Sequence, residues 1–236
     1  LQHSAERNGN LYPDHPTCRL MPVMDINHGD RFDFIVSMSS SAKMLNMYAD
    51  LNFGPDHPFA KRKMAQGDYN ASLIRTVNGK VYTLNFDTNT PHPRGFTRVQ
   101  GTKGVFIRGS GIGSLDRKYG SLIYLDGISP KEHQWEPADK YLKEYEDPVV
   151  KNYKPKRRKR AVRGHSGGRM FTPLSWHRLV QAIREGRTTD FDVYDSVTSS
   201  VISPLSEMSV ANKSRPVDFP DFTRGQWKNW PELEIS

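Results

Sequence analysis

Apolar positions recur with a period of two in one stretch of the chain and with a helical period of about 3.6 in several others. In residues 31–38, RFDFIVSM, Phe32, Phe34, Val36 and Met38 alternate with Asp33, Ile35 and Ser37, which predicts a strand with one firmly buried face. Residues 1–30 read as a turn-rich start and a short helix, with Pro16 in its first turn and Leu20, Val23 and Met24 on one side. Across residues 40–52 the spacing of Met44, Met47, Tyr48 and Leu51 predicts a helix that Gly54 stops. Residues 72–77 and 81–87 flank Asn78-Gly79, a pair that predicts a tight hairpin turn with two positive-φ positions. Further strands are expected at 97–100, 104–108 and 121–125.

Beyond these strands the period changes. A charged helix is expected at 137–146 and another at 172–185, where Leu174, Leu179, Val180 and Ile183 keep helical spacing and Gly186 is the stop. A second helical stretch runs from about 191 to 209, with Pro204 as a kink or break, and residues 217–230 read as an extended strap. Strands joined by short connections, followed by helices, define an α+β class: an open-faced, mainly antiparallel sheet with helices packed on one side. The whole of residues 1–236 reads as one domain whose free sheet face is available to a ligand or partner.

Charge narrows the choice of partner. The net charge is +8, but residues 151–163, KNYKPKRRKRAVR, hold eight of the 34 Lys and Arg and no acid, so the rest of the basic residues balance the 26 acids. That pattern is a solvated surface loop rather than a basic face, and it does not favour nucleic acid. No apolar run reaches the roughly 18 residues of a membrane helix. Cys18 is the single cysteine, which excludes an internal disulfide and a cysteine zinc cluster, and no His or carboxylate pair has metal-ligand spacing.

The candidate chemistry sits in loops. Gly109 to Ser114, GSGIGS, has the look of a phosphate-binding loop, but the sequel LDRKYGSLIYLDG reads as loop and strand, so a turn is expected and no dinucleotide-binding unit. Tyr12 and His15 stand three apart beside a proline turn, and both can move protons. His165 lies in GHSGGR, where two glycines let backbone approach a ligand. Asp190, Asp192 and Asp195 cluster at a helix start, where acids oppose the helix dipole.

The blocks RNGNLYPDH (7–15), MDINHGDRFDFIVSMSS (24–40), SLIRTVNGK (72–80), GTKG (101–104), GHSGG (164–168) and the long run DFDVYDSVTSSVISPLSEMSVANKSRPVDFPDFTRGQW (190–227) resemble the second half of glycoside hydrolase family 109. That family belongs to the superfamily of glucose–fructose oxidoreductase, inositol dehydrogenase and MocA. The resemblance implies an amino-terminal Rossmann domain, outside this chain, that holds NAD. It implies a second half that carries sugar-contacting groups and forms homo-oligomers through its sheet. The implied activity is α-N-acetylgalactosaminidase-like: transient oxidation of the sugar at C3, removal of the C2 proton and elimination at C1, followed by water addition and return of the hydride.

The family's Tyr–Pro–x–His turn falls on Tyr12, Pro13 and His15, implying acid–base or hydroxyl-contacting roles for Tyr12 and His15. His165 matches the family's His-Gly-Gly histidine, and Arg94 stands where a tyrosine is expected, so both are assigned to substrate binding. The chain departs from the family pattern at Asp14, Pro16, Ser166 and Arg169, and residues 154–160 look like an insertion. Two other readings are a simple NAD(P)-dependent sugar dehydrogenase of the same superfamily and a non-catalytic carbohydrate-binding or assembly module. On the family reading, the isolated chain is expected to be inactive.

Overall fold

The strand expected at 31–38 forms as β1, Phe32–Ser39, but its buried face is not the expected one. The computed structural model describes residues 2–91, 96–109, 120–146, 148, 151 and 171–230. In it, β1 pairs antiparallel with β2, Asn70–Thr76, and Asp33 is an extra residue between the pairs Phe32↔Thr76 and Phe34↔Arg75. A bulge of this kind reverses the parity of every side chain beyond it. Phe32 therefore shares the buried face with Ile35 and Ser37, while Phe34, Val36 and Met38 turn to the other face, where Met38 is 64% exposed. The carbonyl of Asp33 is taken by the Phe219 N–H at 2.8 Å, so the bulge is tied down from the far end of the sequence.

The helices and antiparallel sheets make the chain α+β, as its pattern predicts, with the strands shared between two four-stranded sheets. The chain divides into two units, Leu1–Pro91 with Phe191–Glu234, and His92–Asp190 with the last two residues. In the first unit the sheet order is β3, β2, β1, β8, where β3 is Val81–Phe86 and β8 is the short Val217–Asp218. Register sets Ile35, Ile74 and Tyr82 in one row of the inner face and Ser37, Ser72 and Leu84 in the next. The outer face carries Phe34, Arg75 and Val81, then Val36, Leu73 and Thr83.

Four short helices precede or interrupt the sheet in sequence: α1 is Gln2–Glu6, α2 is Asp14–Leu20, α3 is Met44–Phe53 and α4 is Pro58–Lys61, with α3 packed on α4. The helical stretch expected near 191–209 forms as two helices, Val193–Ser200 and Ile202–Ala211. Pro204 falls in the first turn of the later one, where its missing N–H leaves no bond unmade. That helix packs across β1 and delivers Ile202 and Leu205 to a core with Met21, Ile26, Phe32, Ile35, Ile74, Tyr82, Leu84 and Phe219. Burying each large aliphatic of this set contributes about 1.5–3 kcal/mol.

The hairpin at Asn78-Gly79 forms, with a different turn. Thr76 pairs with Lys80, its N–H reaching the Lys80 carbonyl at 2.9 Å, and Gly79 N–H closes on the Thr76 carbonyl at 3.0 Å. Gly79 alone takes positive φ, at 89°, with Asn78 outside that region. This is a three-residue loop, a type I turn closed by a glycine bulge, in place of a two-residue turn.

In the second unit, β4 (Phe96–Gln100), β5 (Gly104–Gly109), β6 (Leu122–Leu125) and β7 (Glu136–Pro137) pair antiparallel in that order. Helix α5, Asp139–Glu144, follows β7, and α6, Phe171–Glu185, ends at Gly186 with φ 66°. The first unit then resumes with α7, Val193–Ser200, and α8, Ile202–Ala211. The basic run lies outside the described residues except for Lys151.

Candidate functional site

The turn that carries Tyr12 and leads into α2, whose first turn holds His15, is short, polar and held on several sides. Arg7 makes two 2.8 Å hydrogen bonds to the Glu207 carboxylate on α8. Gln66 donates to the Gly9 carbonyl at 3.0 Å, and Asn8 accepts from Gly67 N–H at 3.2 Å. Asn10 is fully buried, with its N–H bonded to Ser206 Oγ and its carbonyl accepting from Ser203 Oγ, each at 2.8 Å. Pro13 precedes α2, and the first helical bond runs from Thr17 N–H to the Pro13 carbonyl at 3.1 Å.

Tyr12 and His15 emerge from this frame side by side. Their ring centroids are 5.1 Å apart and the planes lie 21° from parallel. Tyr12 is 55% exposed and His15 is also exposed, so both rings can meet a ligand. Phenol and imidazole each donate and accept protons, and their stacked faces offer a flat apolar surface. The pair is an exposed phenol and imidazole next to a hydrogen-bonded turn.

Below the pair, α2 is anchored into the sheet. Thr17 is buried, and its hydroxyl lies 3.3 Å from Tyr82 Oη. Burial pushes the Tyr82 phenol up to about 12. Asp14 accepts from Ser200 Oγ at 3.2 Å, and Cys18 Sγ donates to Ser199 Oγ at 3.6 Å, so α7 grips the side of α2. Burial raises the Cys18 thiol.

The aspartate cluster is structural. Asp192 caps α7, accepting from Tyr194 and Asp195 N–H at 2.7 and 3.0 Å, while the Asp195 carboxylate accepts from Asp192 N–H at 3.1 Å. That reciprocal pair is a capping box. Asp195 is buried and also accepts from Asn27 Nδ2 at 2.8 Å, and burial lifts its carboxyl above the usual range. Asp190, in the second unit, pairs with Arg178.

His165, Arg94 and residues 110–114 of the glycine loop lie outside the described residues. Tyr12 and His15 are thus the predicted site residues that the structure brings together. The serines of α7 and α8 that hold their turn are missed by sequence reasoning. The signal for them was the serine repeat at 196, 199, 200, 203, 206 and 209.

Every strand pairing in both sheets is antiparallel. A dinucleotide cradle is built on parallel strands joined by a helix, so the described residues offer NAD no such seat. Among the described residues no group of three His, Cys, Asp or Glu is placed to hold a metal, and no helix is long and apolar enough to cross a membrane.

The fold is similar to that of solved oxidoreductases. A solved levoglucosan dehydrogenase, in complex with NADH and levoglucosan, superposes with a TM-score of 0.52 at 17% identity, covering 81% of this chain and 46% of that one. An NAD binding oxidoreductase from Klebsiella pneumoniae gives a TM-score of 0.50 at 13% identity, over 80% of this chain and 46% of that one. These likenesses show the fold alone. The sequence goes further: the family model described as "Glycosyl hydrolase 109, C-terminal domain" matches residues 1–229. A glycosyl hydrolase family 109 protein of Solibacter usitatus is 41% identical over 223 residues, 94% of this chain and 47% of the relative. An alpha-N-acetylgalactosaminidase of Shewanella oneidensis is 38% identical over 235 residues, 98% of this chain and 48% of the relative. The chain belongs to glycosyl hydrolase family 109, as its C-terminal domain, and it spans about half the length of these curated relatives.

Proposed function

We propose that the chain is the sugar-facing half of an NAD-dependent glycosidase that removes α-linked N-acetylgalactosamine, and that Tyr12 and His15 handle protons on the sugar. The observation that carries this reading is the stacked, solvent-facing Tyr12–His15 pair on a turn fixed by α7 and α8. Membership of the family and the relative named alpha-N-acetylgalactosaminidase support the substrate class.

NAD belongs to the full-length protein in this reading, held by polypeptide other than the antiparallel sheets of this chain. What this chain supplies is ring contact and proton movement. The stacked rings present an apolar face to a pyranose and two groups able to take or give a proton at a sugar hydroxyl or at the carbon beside it. His165 and Arg94 are assigned to the same substrate on the family resemblance. A homo-oligomer would use the outer face of the first sheet, where Leu73 and Val81 are 51% and 67% exposed.

The test is turnover of p-nitrophenyl α-N-acetylgalactosaminide by the full-length protein with catalytic NAD. Release of nitrophenol with no net NADH is expected. Net NADH in proportion to sugar consumed, without nitrophenol, would replace the glycosidase by a dehydrogenase. Residues 1–236 alone are expected to release no nitrophenol.

A further inference from the structure

We infer that Ser203 and Ser206 of α8 are positioning residues for the Tyr12–His15 pair, an inference that rests on the proposed role of that pair. The two hydroxyls hold both backbone groups of one residue. Ser206 Oγ accepts the Asn10 N–H at 2.8 Å and donates to the Ser203 carbonyl at 2.7 Å, while Ser203 Oγ donates to the Asn10 carbonyl at 2.8 Å. Serines three apart lie on one side of a helix, so both face the same passing strand of chain. Asn10 is two residues before Tyr12, and its side-chain Nδ2 and Oδ1 are buried without partners. The backbone bonds, not the amide, fix it.

The grip extends along the turn in both directions. At Gly9 a Cβ would lie 2.6 Å from Ser206 Oγ and 2.9 Å from the Glu207 N, so the chain passes against the helix with no room for a side chain. Ser200 Oγ reaches Asp14 at 3.2 Å, on the residue next to His15. The segment from Gly9 to Asp14 is thereby clamped on either side of Tyr12. The pair needs such a clamp because both rings are exposed and little packs around them. A shift of about 1 Å in a reacting group can lower a rate about 100-fold.

An internal control exists on the same helix. Ser209 is as buried as Ser206 and its hydroxyl is equally engaged, accepting from Ser37 N–H at 2.9 Å and donating to the Arg215 carbonyl at 2.8 Å. It holds β1, not the turn. In the full-length protein with p-nitrophenyl α-N-acetylgalactosaminide, Ser203→Ala and Ser206→Ala should each lower kcat about tenfold or more with KM within about twofold. Ser209→Ala should lower the melting temperature comparably and leave kcat within about twofold, and Ser203→Thr, which keeps the hydroxyl at a half-buried position, should recover most of the lost kcat. If Ser203→Ala and Ser206→Ala change kcat no more than Ser209→Ala while His15→Ala abolishes it, the positioning inference is wrong and the site reading stands. No turnover by the wild type, or an unchanged kcat in His15→Ala, overturns the site reading and this inference with it.

Discussion

Replacing Gly9 by alanine tests the packing under the candidate site with one added methyl group. The new Cβ would meet Ser206 Oγ at 2.6 Å, Glu207 Cγ at 2.8 Å and Glu207 N at 2.9 Å. Two of these neighbours cannot yield cheaply: one is helix backbone, and the other is a buried hydroxyl already bonded to Asn10 and Ser203. The turn must therefore lift from α8. Overpacking of this kind costs about 1–3 kcal/mol, and weakening the two buried Asn10 backbone bonds adds about 0.5–1.5 kcal/mol each. Against this, alanine restricts the unfolded chain and returns about 0.4–1 kcal/mol. The balance is a net loss between about 1 and about 5.6 kcal/mol, taking these ranges together. Urea unfolding of Gly9→Ala beside the wild type measures it. Gly101→Ala is the control, since nothing approaches a Cβ there closer than the Gly104 carbonyl at 4.0 Å, and it should stay within about 0.5 kcal/mol of wild type. A loss under about 0.5 kcal/mol for Gly9→Ala would mean that the turn does not press on α8 as described.

Two further perturbations probe the frame. Tyr82 carries its phenol proton up to about 12 in the folded chain against 10.0 when unperturbed, so the folded state holds that proton more tightly. The associated stabilisation, on the order of 2–3 kcal/mol, is present below pH 10 and is lost as pH rises through the folded value, a loss that Tyr82→Phe should lack; an identical alkaline stability profile for the two proteins would refute it. Asp192→Ala removes the cap that serves Tyr194 and Asp195 N–H, and should lower stability by about 1 kcal/mol in thermal or urea unfolding, whereas an unchanged midpoint would show that α7 does not depend on its capping box.

The period-two pattern of residues 31–38 identified a strand because apolar alternation is a local property. Its buried face was not legible. The bulge at Asp33 depends on pairing with Thr76 and Arg75 and on the Phe219 N–H, all distant in sequence. The same holds for Asn78-Gly79: the dipeptide marked the hairpin, but the Thr76–Lys80 bond chose the loop length and left Asn78 without positive φ. Pro204 and the acids at 192 and 195 announced a helix boundary correctly, since helix starts are governed by nearby residues.

The candidate site divides along the same line. Tyr12 and His15 stand three apart and are brought together by one turn of chain, so their proximity was local. Ser203 and Ser206 lie about 190 residues away, and a serine repeat carries no hydrophobic period that would foretell which backbone it holds. His165 and Arg94 lie outside the described residues, and their assignment rests on the family pattern.

On the proposed function, the imidazole beside Tyr12 moves a proton in the reaction. That proton transfer is read in kcat of His15→Ala in the full-length protein with p-nitrophenyl α-N-acetylgalactosaminide, with the melting temperature recorded in parallel. A fall of at least about 100-fold at an unchanged melting temperature is expected of a lost acid–base group; a change smaller than about threefold contradicts the account and would leave His15 as an exposed residue in the first turn of α2.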